Sequence, residues 1–199
     1  MSGKPIILVD CDDVLADFET PALKLVAELG GPVVKPGERT VWDIGHLLVD
    51  EGRQKRFWDV LLAPGWCESL EPYPDALDPF RELSELGEVV VVTTPHGHGP
   101  TWAFERTRWL KKHFGLEDSH VANVRNKRWI HGDFLADDKP ANLRAWNHGC
   151  KFLIDRVYNR TDFGFERGSL EDFVAFVVRE KERYRTGFYG NRPRLAWIP

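Results

Sequence analysis

The sequence predicts an α/β fold, in which a Rossmann-like parallel sheet carries helices on both of its faces. Five short apolar segments alternate with longer segments in which apolar residues recur at helical spacing. This alternation is typical of parallel sheets, because each connection between parallel strands has to cross the sheet. Residues 17–77, between the first two strands, exceed the length of one crossover and predict a small inserted helical cap.

The apolar segments predict strands at residues 5–10, 88–93, 121–124, 132–137 and 151–154. The second segment is apolar from Val89 to Val92, as expected of a strand that is buried on both faces. Four further segments predict helices, at residues 17–29, 75–86, 101–114 and 169–184. We therefore expect a core formed by residues 1–16 and 78–199, and a cap formed by residues 17–77.

Composition limits the classes of protein to which the chain can belong. It has 199 residues, of which 42% are hydrophobic, and a formal net charge of −4. No apolar run approaches the roughly 20 residues of a membrane span, and residues 1–9 lack a signal pattern, so we expect a cytoplasmic protein without a membrane partner. The three cysteines are widely spaced, which argues against a disulfide framework or a structural zinc site. Because acidic residues outnumber basic ones, the charge of the chain argues against binding of long nucleic acid.

Two carboxylates follow the first predicted strand. Asp10 and Asp12 come directly after the apolar run that ends at Val9, and alternation in extended backbone points both the same way. Carboxylates this close repel each other unless a cation or a shared proton lies between them. Because hard oxygen ligands suit Mg²⁺, the pair predicts a Mg²⁺ site at the carboxyl end of the sheet. A helix N-cap followed by a solvated turn is the alternative.

Further polar groups follow other predicted strands. Thr93 and Thr94 end the second strand, Asp137 and Asp138 end the fourth, and Lys127 lies between them. A hydroxyl can donate to a phosphate oxygen, and a lysine ammonium can neutralise a phosphoryl group. One acid of the second pair could complete the metal shell while the other orients the lysine or a metal-bound water. Taken singly, each group suits an ordinary strand end or surface, but together they predict a phosphate- and metal-binding site.

This order of motifs resembles the haloacid dehalogenase superfamily of phosphotransferases. The motifs are DxDxV after a strand, a strand-ending threonine, a lysine and a strand-ending DD. A closer resemblance is to the 5′(3′)-deoxyribonucleotidases, and it is carried by the stretches DCDDVLADFE, LEPYPDAL, TTP, WLKKHFG and RNKRWIHGDFLADDKP. The resemblance covers most of residues 5–140 and fades beyond them.

The resemblance implies the chemistry of the site. It makes Asp10 the nucleophile of an aspartyl-phosphate intermediate, and Asp12 the acid for the leaving alkoxide and then the base for water. Phosphate contacts would come from Lys127 and from Thr93, Thr94 and Arg125. The Mg²⁺ ligands would be Asp10, Asp12 through its backbone carbonyl, and Asp138, with Asp137 in support.

The resemblance also implies a nucleotide pocket. Phe18 matches an aromatic that the family places against the nucleobase, and Trp42 matches a second one in the cap, for which ordinary cap packing is the alternative. After Thr93-Thr94-Pro95 the subfamily carries a basic residue, where this chain has Gly97. His96 or His98 could donate to the phosphate instead, or the segment could be only a flexible turn.

We therefore predict a Mg²⁺-dependent phosphatase that hydrolyses nucleoside monophosphates, preferably deoxyribonucleotides, to nucleoside and phosphate. A phosphatase acting on a polynucleotide 3′ end or another small ester is the alternative, motivated by the basic and aromatic tail at residues 179–199. A nucleotide sensor without turnover is a third hypothesis. The sequence is also compatible with a homodimer.

Overall fold

The structure is a computed structural model that describes residues 4–96 and 99–185. Predictions for Gly97, for His98 and for the tail beyond Arg185 concern residues outside these ranges. Within them, no helix is both long enough and apolar enough to cross a membrane.

The centre of the molecule is a sheet of six parallel strands in the order β3-β2-β1-β4-β5-β6. The strands are β1 (Ile6–Val9), β2 (Glu88–Thr93), β3 (Val121–Asn123), β4 (Phe134–Asp137), β5 (Cys150–Ile154) and β6 (Glu166–Gly168). The predicted α/β class with a Rossmann-like parallel sheet is confirmed. The five predicted strands correspond to β1–β5, with ends that differ by no more than two residues.

The sixth strand was not predicted. β6 is an edge strand of three residues, and its register with β5 pairs Phe152 with Glu166 and Leu153 with Arg167. Because an edge strand faces solvent, its charged residues give no apolar run, and only pairing with β5 makes it a strand.

The helices are α1 (Glu19–Glu28), α2 (Glu51–Leu61), α3 (Leu77–Leu86), α4 (Trp102–Phe114), α5 (Pro140–Ala145) and α6 (Leu170–Arg185). The four predicted helices correspond to α1, α3, α4 and α6. α2 and α5 were not predicted, because α2 buries only Phe57 and Leu61 and α5 has only six residues. Asp50 caps α2, since its side chain accepts a hydrogen bond from the Arg53 backbone N–H at 2.8 Å.

Side chains alternate between two apolar layers, one on each face of the sheet. Ile7 and Val9 pack in the larger layer together with α3, α4 and α6. Leu8 packs in the smaller layer with Leu143 of α5 and with Trp146. Helices therefore lie on both faces, as predicted.

The segment between β1 and β2 has an apolar cluster of its own. It is formed by α1, α2 and the turn between them, with the buried residues Ala22, Leu23, Val26, Ile44, Leu48, Phe57 and Leu61. The end of the segment differs, since Leu70 and Ala76 join the larger layer against the sheet. The assignment of residues 17–77 to a cap stays a prediction.

Strand register brings the predicted motifs to one edge. Val9 pairs with Val91 of β2 on one side and with Ala136 of β4 on the other. Asp10 follows at once, and its backbone N–H donates to the Ala136 carbonyl at 3.0 Å. The residues after β1, β2 and β4 consequently meet at the carboxyl end of the sheet, where ligands bind in open α/β folds.

Candidate active site

A cavity of about 490 Å³ lies at the carboxyl ends of the strands. Nine of the eleven predicted site residues line it: Asp10, Asp12, Phe18, Trp42, Thr94, His96, Arg125, Lys127 and Asp138. Thr93 and Asp137 are fully buried and do not line the cavity. Residues separated by more than a hundred positions thus share one cavity.

The acidic end of the cavity holds a compact charge cluster. Asp10, Asp137 and Asp138 each offer a carboxylate oxygen, and these oxygens all lie within 4.8 Å of one another. The Lys127 ammonium lies 2.5 Å from Asp10 Oδ1 and 2.7 Å from Asp137 Oδ2. All four side chains are buried, so their charges interact with little screening by water.

The two acids at the end of β4 have different surroundings. Asp137 accepts hydrogen bonds from Lys127, from the Lys139 backbone N–H at 2.8 Å and from the Asn142 side chain at 3.0 and 3.1 Å. Asp138 accepts one from the Tyr158 hydroxyl at 2.6 Å and lines the cavity. Asp137 therefore has its oxygens occupied and orients the lysine, whereas Asp138 is the better placed to meet a cation.

Burial raises the pKa of Asp10 to about 7, against the opposing effect of Lys127. Burial and carboxylate neighbours raise the pKa values of Asp137 and Asp138 to about 6. Burial acts to lower the pKa of Lys127, but Asp10 and Asp137 outweigh it and hold that pKa above its ordinary value. Three buried carboxylates against one ammonium leave surplus negative charge. A hard divalent cation fits this oxygen donor set.

Asp12 makes an ion pair that the sequence analysis missed. Its Oδ1 accepts a hydrogen bond from Arg106 of α4, whose side chain is fully buried. Arg106 lies four residues after Trp102 and three before Trp109, both also buried. An arginine on the apolar face of a predicted helix is the signal that could have identified it.

Asp13 also pairs with a buried arginine. It adopts φ = 57°, in the left-handed region, and its Oδ2 pairs with Arg39. The Arg39 guanidinium lies 4.0 Å from the ring centre of Tyr158. Arg39 belongs to an irregular segment between α1 and α2, so no periodicity could have singled it out.

Aromatic rings line another part of the cavity. Phe18 lies 5.3 Å from Trp66 and 6.3 Å from His96, whose ring is nearly parallel to it. His96 also packs 5.3 Å from Trp58. Burial lowers the pKa of His96, so its imidazole is mainly neutral at pH 7. Trp42 is 49% exposed, and the Lys139 ammonium lies 3.4 Å from its ring centre.

The two threonines after β2 differ. Thr94 lines the cavity, but its hydroxyl donates to the Val124 carbonyl at 3.0 Å. The Thr93 hydroxyl is buried and has no hydrogen-bond partner within residues 4–96 and 99–185. A buried hydroxyl without a partner is unusual, and it is the free donor of this pair.

Comparison with known proteins identifies the family of the chain. The family model described as "5′ nucleotidase, deoxy (Pyrimidine), cytosolic type C protein" matches residues 4–182. A relative from Bordetella bronchiseptica is 31% identical over 163 residues, which cover 78% of this chain and 86% of the relative. The 5′(3′)-deoxyribonucleotidase of Bacillus subtilis is 29% identical over 165 residues, which cover 82% of this chain and 92% of that protein.

Solved structures share the fold. A haloacid dehalogenase family hydrolase from Deinococcus radiodurans, solved with bound phosphate and sodium, superposes with a TM-score of 0.55 at 12% identity. The superposition covers 91% of this chain and 98% of that one. The chain therefore belongs to the deoxyribonucleotidase family of 5′ nucleotidases, and it shares its fold with haloacid dehalogenase family hydrolases.

Proposed function

We propose that the protein is a Mg²⁺-dependent phosphatase that hydrolyses nucleoside monophosphates, preferably deoxyribonucleotides, to nucleoside and phosphate. One observation carries the proposal: Asp10, Asp12, Lys127 and Asp138 line the same cavity as Phe18 and other aromatic rings. The charged end suits a phosphoryl group, and the aromatic part suits a nucleobase. The relatives named as deoxyribonucleotidases support this choice of substrate class.

In the first step, an Asp10 carboxylate oxygen attacks phosphorus and forms an O–P bond. The bond from phosphorus to the ester oxygen breaks, and Asp12 transfers its proton to that leaving oxygen, so that the nucleoside departs. In the second step, water attacks the aspartyl-phosphate and gives its proton to Asp12. The Asp10 O–P bond breaks, which releases phosphate and restores both carboxylates to their starting states.

The lysine and the acids prepare this reaction. Lys127, held by Asp10 and Asp137, offers a buried positive charge to the phosphoryl oxygens. Thr93 has a buried hydroxyl without a partner in the described part of the chain, but it does not line the cavity, so its contact with phosphate stays a prediction. Asp10 and Asp138, with the Asp12 carbonyl, would hold Mg²⁺, and Asp137 would support them. When bound, the ion would offset the charge of the carboxylates and of the phosphoryl group.

The nucleoside would occupy the aromatic part of the cavity. Phe18 and Trp42 would stack on the base, and Arg125, exposed at the cavity wall, would contact the phosphate. His96 is a hydrogen-bonding group rather than a cation in this proposal, because burial keeps it neutral.

The proposal is tested by phosphate release from dUMP, dTMP and the other nucleoside monophosphates, with Mg²⁺ and with a chelator. We expect turnover that requires Mg²⁺. Asp10→Asn should lower kcat by at least about 10³-fold, because it removes the nucleophile. Asp59→Asn, the same change at an exposed acid of α2, is the matched control and should retain activity.

If the folded protein released no phosphate from any nucleotide of this panel, the proposal would be contradicted. Faster turnover of a 3′-phosphorylated oligonucleotide than of dTMP would favour the polynucleotide alternative. Nucleotide binding without any turnover would favour a sensor. A cytoplasmic location and a homodimer stay predictions.

A further inference from the structure

Arg106 is a fully buried charge with few partners. Its Nη2 donates to Asp12 Oδ1, and its side chain is 0% exposed. Its Nε and Nη1 are buried without a hydrogen-bond partner in the part of the chain that the structure describes. The guanidinium carbon lies 5.8 Å from the ring centre of Trp102 and 5.3 Å from that of Trp109.

Folding stability does not account for an arginine at this position. A buried charge is costly to desolvate, and buried N–H groups without acceptors add to that cost. Replacement of a buried ion pair by well-packed apolar side chains is often neutral or stabilising. Contacts with the Trp102 and Trp109 rings offset only part of the cost. The cost is therefore consistent with a role in function.

The one hydrogen bond of this guanidinium goes to a residue of the cavity. Asp12 lines the cavity with its side chain 26% exposed, so a ligand can reach it. Across residues 4–96 and 99–185, the Asp12 carboxylate has no other hydrogen bond than the one from Arg106. Within these ranges, Arg106 therefore makes the one hydrogen bond that holds the orientation of that carboxylate.

We propose that Arg106 is a positioning residue, which holds the Asp12 carboxylate in the orientation needed to protonate the leaving oxygen of the substrate. This inference rests on the proposed function, because it assigns to Arg106 control over the acid of that reaction. The bonds that form and break are those of the first step described above. Arg106 does not line the cavity, so it would act on the substrate only through Asp12.

A positioning role for Arg106 has a consequence that a purely structural role lacks. A nucleoside is a poor leaving group, and its alkoxide needs a proton as the bond to phosphorus breaks. p-Nitrophenolate leaves as a stable anion and needs none. Loss of Arg106 should therefore impair hydrolysis of a nucleotide far more than hydrolysis of p-nitrophenyl phosphate.

The experiment compares kcat/KM for dTMP and for p-nitrophenyl phosphate, since kcat/KM reports the steps up to departure of the leaving group. Arg106→Met removes the charge and keeps an unbranched, apolar side chain that is shorter than arginine. We expect a loss of about 100-fold for dTMP and less than about tenfold for p-nitrophenyl phosphate. Arg106→Lys should recover part of the dTMP activity, because it restores a charge but not the fork geometry.

A matched control lies on the same helix. Arg108 is exposed and pairs with Glu68 at 2.9 Å, so Arg108→Met makes the same change outside the cavity and should leave both activities unchanged. The midpoint of thermal unfolding of Arg106→Met should stay within about 4 °C of wild type. If this variant does not fold, the ratio of the two activities in Arg106→Lys supplies the test.

The outcomes separate the two proposals. Equal losses for both esters, or no loss, in a folded variant of an enzyme active on dTMP would overturn the role of Arg106 and leave the proposed function standing. A wild-type protein inactive on every nucleotide would overturn both. A selective loss for dTMP supports the positioning role.

Discussion

Arg39 and Arg106 are buried guanidiniums that pair with adjacent residues, Asp13 and Asp12, but they differ in their remaining hydrogen bonds. Arg39 also donates from Nε to Glu19 at 3.1 Å and from Nη1 to the carbonyls of Val41 and Trp42 at 3.2 and 2.5 Å. Arg106 makes only the hydrogen bond to Asp12, and two of its nitrogens are left without partners in the described ranges.

The difference indicates two kinds of buried arginine. Arg39 neutralises two buried carboxylates and fastens the backbone next to Trp42 to the loop after β1, so its bonds account for its presence. Arg106 orients a single candidate catalytic residue, Asp12, and makes no other hydrogen bond in the described ranges. A guanidinium whose donors are all used is expected to stabilise the fold, and one with orphaned donors is expected to serve the site.

The largest effect should come from Arg39→Met. It leaves Asp13 and Glu19 buried without their partner, and removal of one member of a buried pair costs about 3–5 kcal/mol. Urea unfolding measures this as a fall in the free energy of unfolding. The comparison fails if Arg39→Met and Arg106→Met destabilise the protein equally.

The second effect concerns pH and Asp13. Burial raises the pKa of Asp13 to about 6, partly opposed by Arg39. Because the folded pKa is above the unfolded one, the folded protein holds more protons between pH 4 and 6. Without metal, its free energy of unfolding should therefore fall as pH rises through this window, with a contribution from Asp13 of about 2–3 kcal/mol.

Asp13→Asn tests this contribution, because asparagine tolerates the positive φ of this position and does not titrate. We expect a shallower fall in the free energy of unfolding between pH 4 and 6, measured by denaturant titrations across that range. The remaining slope should come from Asp10, Asp137 and Asp138, whose pKa values are raised in the same direction. An unchanged slope would contradict the assignment.

The smallest effect should come from Tyr158→Phe, at the contact between the Arg39 region and the acidic cluster. The Tyr158 hydroxyl donates to Asp138 at 2.6 Å, and its ring packs on the Arg39 guanidinium. Phenylalanine keeps the ring and removes the hydroxyl. We expect about tenfold weaker Mg²⁺ activation, from the concentration that gives half-maximal turnover, and a nearly unchanged free energy of unfolding. An unaltered Mg²⁺ dependence would exclude this supporting role.

Much of the acidic end of the site could be predicted from the sequence. Asp10, Thr93 and Asp138 lie at or just after the ends of apolar segments, and parallel strands bring such ends to one edge. The prediction was weaker for side-chain placement. Thr93 does not line the cavity, although Thr94 does. The Asp137 carboxylate also does not line the cavity, and both of its oxygens accept hydrogen bonds from the protein. These details depend on packing, to which periodicity is insensitive.

Apolar runs and the polar groups that end them are local patterns, so the amino-acid sequence was enough to predict the parallel sheet and the acidic residues at its carboxyl end. The contacts of Arg106 with Asp12, of Arg39 with Asp13 and of Tyr158 with Asp138 become apparent in the folded chain alone. These partners are separated by 94, 26 and 20 positions. Contacts across such distances depend on how helices and loops pack against the sheet, which no local pattern specifies.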